Sequence, residues 1–111
     1  MAVVFVMVMG LSVLTAEQTV TGMLVEAGCG TNLGDNSPSE DHVACMVRCG
    51  KQGEPLGIVT EQGLYTITGE WAKNNTPTLL ELMAQQVAAT GEVREDGIQR
   101  TLELTAISLA Q

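Results

Sequence analysis

A chain of 111 residues holds one small domain with a single core. Thirteen acidic residues against five basic ones give a formal net charge of −8. A surface of that sign repels a phosphate backbone, which argues against nucleic acid as a partner. Hydrophobic residues make up 45% of the chain, part of it from the first fourteen residues, and the only aromatics are Phe5, Tyr65 and Trp71.

Residues 1–16 (MAVVFVMVMGLSVLTA) carry no charge. The run falls short of the roughly 20 residues that a membrane span needs. It reads as the apolar region of a secretory leader, with Ala16 at the cleavage point and residues 17–111 as the mature domain. The alternatives are a buried N-terminal strand and a membrane anchor. The basic start of an ordinary leader is missing, since no Lys or Arg precedes Arg48. No Cys follows the run, which disfavours a lipid anchor. The expectation is a periplasmic or secreted protein with no stable membrane insertion once the leader is removed.

Residues 19–26 (TVTGMLVE) alternate as a strand, with a bulge or bend at Gly22. Residues 27–30 (AGCG) end it, and residues 31–37 (TNLGDNS) are rich in turn formers. Residues 37–50 then read as one capped helix. Ser37 is the N-cap, Pro38 takes the first helical position, and Glu40 reaches back to Ser37 in a capping box. Gly50 supplies a left-handed stop, with Arg48 and Lys51 at the negative end of the helix dipole.

Residues 51–55 form a second loop, from which Pro55 opens the next strand. Residues 56–60 (LGIVT) and 64–68 (LYTIT) make a hairpin that turns at residues 61–63 (EQG). Residues 69–75 are a polar loop carrying Trp71. Thr76 then caps a short helix with Pro77 at its first position. Residues 86–93 and 100–109 are the last two strands, turning at residues 95–97 (EDG). Five strands with a helix after the third is the order of the OB-fold barrel. The expected fold is therefore mainly β, a five-stranded OB-fold-like barrel. A helical insertion lies between strands 1 and 2, and a short helix between strands 3 and 4. The first connection is too long for a tight hairpin, and connections of that length tend to carry function.

The chemistry concentrates there. Cys29, His42, Cys45 and Cys49 are all the cysteines and the single histidine of the chain. At about 100° per residue, His42, Cys45 and Cys49 fall within about 60° of the helix circumference, and Cys29 adds a donor from the end of the first strand. The spacing Cys-x12-His-x2-Cys-x3-Cys suits a Cys3His site for one ion of zinc or copper(I), though it lacks the doubled Cys-x2-Cys of zinc knuckles. Met46, about 40° from His42, is a soft group that favours copper if it joins the site. Thiols in an oxidising compartment persist only when paired or metal-bound, and an odd count leaves one over. A Cys29–Cys45 or Cys29–Cys49 disulfide is the alternative. The plainest reading is a buried helix face made of Cys45, Met46 and Cys49.

No catalytic constellation accompanies these residues, and an enzyme is not expected. Cys-x3-Cys is not the Cys-x2-Cys of thiol oxidoreductases, and no haem-attachment motif occurs. Asp41 beside His42, with Ser37 and Ser39 nearby, serves helix capping; nucleophile elbows and His-Glu-x-x-His are absent. Tyr65 and Trp71 are too few on so acidic a surface to stack bases, and read as core or rim.

Residues 20–29 (VTGMLVEAGC), the His42-x2-Cys45-x3-Cys49 run, residues 53–59 (GEPLGIV) and Gly63-Leu64-Tyr65 resemble a group of small exported bacterial proteins with OB-fold-like barrels. Residues 87–93 (VAATGEV) are similar to the penultimate strand of that group. The resemblance covers residues 20–109. It implies the barrel and a shared Cys/His site, and it implies no established activity. The group usually carries Asp where this chain has Glu26, and Ala where it has Met46. The functional expectation is an exported metal-binding barrel whose site is structural or metal-carrying. The second reading is a disulfide-stapled periplasmic module, without metal, that binds a ligand or a protein.

Overall fold

The computed structural model describes residues 17–30 and 39–110, with the backbone alone at residues 29 and 30. The leader reading of residues 1–16 and the capping roles of Ser37 and Pro38 lie outside the described residues. The elements in order are β1 (Glu17–Glu26), α1 (Ala27–Gly30), α2 (Glu40–Lys51), β2 (Leu56–Thr60) and β3 (Gly63–Thr68). They are followed by α3 (Glu70–Asn74), α4 (Thr76–Glu81), β4 (Gln86–Asp96) and β5 (Gln99–Leu109). The strands close into a barrel in the order β1-β2-β3-β5-β4. The architecture is the expected OB-fold-like one: mainly β, with helix between β1 and β2 and short helices between β3 and β4. No helix among the described residues is long and apolar enough to cross a membrane.

All neighbours pair antiparallel except β3 and β5, which run parallel from Tyr65↔Arg100 to Thr68↔Glu103. β1 bridges two partners. Its first part pairs with β4 up to Met23↔Gln86, and from Met23↔Val59 onward it pairs with β2. The period-2 pattern decides which side chains fill the interior. Val20, Leu24, Ile58, Val87, Ala89, Leu102 and Leu104 point inward and are buried. Leu79 and Met46 complete the core from the helices, and Met83 from the turn after α4.

Two glycines set the barrel's closeness. A Cβ on Gly22 would collide with the Val59 carbonyl oxygen, and one on Gly91 with that of Glu103. Gly22 therefore marks a close backbone approach, and between Thr90 and Gly91 the register with β5 shifts by one residue, from Ala106 to Leu104, passing over Thr105. Outside the barrel, Glu17, Glu92 and Glu103 stand opposite one another on adjacent strands, an arrangement that like charges disfavour. Arg94 offsets part of it, its Nη2 lying 2.7 Å from Glu92 and 3.9 Å from Glu103. The hydrogen bond and charge of Glu92 push the guanidinium pKa up.

The helix boundaries differ from the sequence reading. Ser39 caps α2, in extended conformation, so the third helical position is His42 and Glu40 closes no capping box. Gly50 does not stop the helix. It is buried, with Leu80 Cδ2 2.7 Å and Leu56 Cδ2 3.3 Å from where its Cβ would be, and it lets α2 pack closely on α4. The chain leaves α2 at Gln52, and the left-handed residue is Gly53, with φ 94°. Residues 27–30 form a turn of helix instead of a plain strand end. The expected polar loop after β3 contains α3, because Ala72 and Trp71 find core to cover. Asn75 rather than Thr76 precedes α4; its Nδ2 donates to the Trp71 carbonyl at 2.7 Å.

Ala84 follows at φ 68°, a left-handed conformation for a residue with a Cβ. It is held there by Leu24, whose carbonyl accepts from Ala84 N at 2.7 Å while its N–H donates to Gln85 O at 3.0 Å. Ala84→Gly should raise stability by about 0.5 kcal/mol in urea unfolding, because relief of strain exceeds the entropy glycine adds to the unfolded chain. Gly91→Ala should cost about 2 kcal/mol or more by the same measurement, since its Cβ meets rigid backbone.

Candidate functional site

The turn that carries Cys29 is pinned at three successive residues. Glu26 pairs in register with Leu56 at the end of β1. The N–H of Ala27 donates to the Pro55 carbonyl at 2.9 Å. The N–H of Gly28 donates to Glu26 Oε2 at 2.9 Å. Glu26 is only 4% exposed, and burying a carboxylate is costly unless hydrogen bonds compensate. A Cβ on Gly28 would lie 3.3 Å from Oε2 and 3.4 Å from Oε1, so the carboxylate rests directly against the first turn of α1. Cys29 is the next residue in that turn; its side chain lies outside the described residues.

The other three expected donors lie on α2. Ser39 Oγ accepts from His42 N at 3.2 Å. Glu40 and Asp41 sit in the first turn, with Arg48 and Lys51 in the last, each charge favourable for the helix dipole. His42, Cys45 and Cys49 are all half-buried. Cys45 and Cys49 are one turn apart, about 6 Å along the axis, whereas His42 and Cys49 are about 10.5 Å apart. A shared arc in projection hides that axial distance. Among the described residues, no three His, Cys, Asp or Glu groups are arranged to hold a metal ion. The helix offers neighbouring donors in pairs, and a closed site depends on what α1 adds.

Met46 is fully buried within the core. Its sulfur packs the barrel end, so the argument for copper drawn from it falls away. Tyr65 is buried as well, with the Arg100 guanidinium carbon 5.8 Å from its ring centroid, and Trp71 is packed against the core. Neither forms an open stacking surface. Asp41 is exposed, and the Ser39 hydroxyl is engaged in the helix cap.

The cysteine-bearing segments meet at Glu54-Pro55. Glu54 N donates to the Cys49 carbonyl at 3.2 Å, while Pro55 accepts from Ala27, two residues before Cys29. The end of α2 and the start of α1 are thus anchored to one dipeptide. Glu26 is the participant that sequence reading passed over. The signal was its phase: Val20, Gly22 and Leu24 are the inward positions of β1, and the same alternation puts Glu26 inside.

No protein family, curated protein or solved structure matches the chain. The site is therefore argued from its own residues. Ser39→Ala removes the only side-chain acceptor recorded for the start of α2 among the described residues. It should lower stability by about 1 kcal/mol in urea unfolding, without altering the barrel's β-sheet circular dichroism.

Proposed function

We propose that this protein is an exported metal-binding barrel in which Cys29, Cys45 and Cys49 hold one ion of zinc or copper(I). The three cysteines bind as thiolates, and His42 supplies a fourth donor as neutral imidazole. The observation that carries this reading is the common anchorage of the two cysteine-bearing turns on Glu54-Pro55. Cys45 and Cys49 lie one helical turn apart, a spacing at which neighbouring side chains can share a ligand. Three thiolates and an imidazole form a donor set that both ions accept. The ion would staple the long first connection to the barrel end, contributing folding energy that a small core lacks. His42 reaches the ion from the far end of the helix and is the weakest of the four donors. The partner is the ion itself; the acidic surface does not suit nucleic acid.

A second reading rests on the same anchorage. Cys29 joined to Cys49 would staple the same two turns, leave Cys45 as the half-buried free thiol, and make the protein a binding module without metal.

Elemental analysis distinguishes the two on protein exported to the periplasm and purified without added metal or reductant, with thiols counted in denaturant and chelator. The metal reading expects one equivalent of zinc or copper and three thiols. No metal with a single thiol would assign the disulfide module. Cys29→Ser should abolish metal retention, whereas in a disulfide protein it would raise the free-thiol count from one to two. His42→Ala should weaken zinc binding by about tenfold, less than any Cys→Ser change, in competition with a chromogenic chelator.

A further inference from the structure

We infer that Glu26 is the positioning residue for Cys29. The inference rests on Cys29 being a ligand and names the group that orients it. Glu26 is a buried carboxylate in the last inward position of β1, where alternation would otherwise place an aliphatic side chain. Its Oε2 accepts from the backbone of Gly28, the residue immediately before Cys29. Both carboxylate oxygens lie within 3.4 Å of where a Gly28 Cβ would sit, so any side chain there would push the carboxylate back by a few tenths of an ångström.

The geometry has a definite consequence. The strand register fixes Glu26, the Pro55 carbonyl fixes Ala27, and the Glu26 side chain fixes Gly28. Three consecutive fixed residues leave the backbone at Cys29 little freedom. An aliphatic residue at position 26 would fill the space but accept no hydrogen bond, and α1 would lose the contact that sets its direction. The role calls for an acceptor oxygen at this point, which a glutamine amide can also supply. Loss of a group that holds a ligand in place by hydrogen bonds typically costs about 10- to 100-fold in metal affinity.

The test compares the full chain with Glu26→Gln and Glu26→Leu. Zinc affinity is read by chelator competition, and folding by circular dichroism and thermal midpoint. Glu26→Gln should bind zinc within about threefold of wild type. Glu26→Leu, still folded, should lose 10- to 100-fold. Wild-type affinity in a folded Glu26→Leu protein would overturn the inference, as would an equal loss in both variants. Should Glu26→Leu fail to fold, Glu26→Ala removes the acceptor without adding bulk instead. The same 10- to 100-fold loss is then expected, and wild-type affinity would overturn the inference.

A second readout separates failure of this inference from failure of the metal reading. After reduction and removal of reductant and metal, the iodoacetamide labelling rate at Cys29 is followed by peptide mass mapping. Wild type and Glu26→Gln should label alike, and the variant lacking the hydrogen bond should differ at least fivefold. If wild type binds no zinc but this pattern holds, the metal reading fails and the positioning role stands. Equal rates in all proteins would overturn the positioning role whether or not zinc binds.

Discussion

Closure of the barrel depends on the parallel run between β3 and β5, from Tyr65↔Arg100 to Thr68↔Glu103. Every other pairing joins antiparallel neighbours, and none of them would by itself bring the two free edges of the sheet together. A parallel pair cannot be made by a hairpin, because the chain must return to the starting end before it can run alongside. Here α3, α4 and β4 make that return. The same segment supplies Leu79 and Met83 to the core, so the connection that permits closure also covers the barrel end.

The long first connection is held by the same physics. α2 has no strand partner; it stays in place because Met46 enters the core and Gly50 allows contact with Leu80, Leu56 and Met83. That docking turns His42, Cys45 and Cys49 into half-buried positions at its margin. From there the chain passes Gly53 into Glu54-Pro55, where the backbone bonds to Cys49 and Ala27 hold both ends of the insertion. The backbone at the three cysteines is placed by packing and backbone hydrogen bonds alone.

A buried carboxylate beside such a turn has to contribute more than burial. Glu26 gives up hydration and gains the Gly28 bond, an exchange favourable only when the acceptor is well satisfied. Ala84 shows a comparable compromise on the other side of β1, where two hydrogen bonds with Leu24 hold a strained residue. The C-terminal end of β1 is thus fixed on both of its edges by local bonds that no hydrophobic pattern announces.

Much of the architecture was legible in the chain. Alternation located all five strands, and their order around two helical insertions indicated the barrel, because period-2 burial and turn chemistry are local properties. The sequence by itself determined the element order, the inward aliphatic set and the concentration of sulfur in one connection. Only tertiary structure decided the rest. Gly50 looked like a helix stop and became a packing position, since whether glycine is needed for its φ or its size depends on what lies opposite. Met46 was open to either use, donor or buried helix face, and it is core. Helical projection drew His42 toward Cys49, while the rise of the helix keeps them two turns apart. Glu26 passed as an ordinary strand residue until the barrel closed around it, because the cost and use of a buried polar group exist only once water has been excluded.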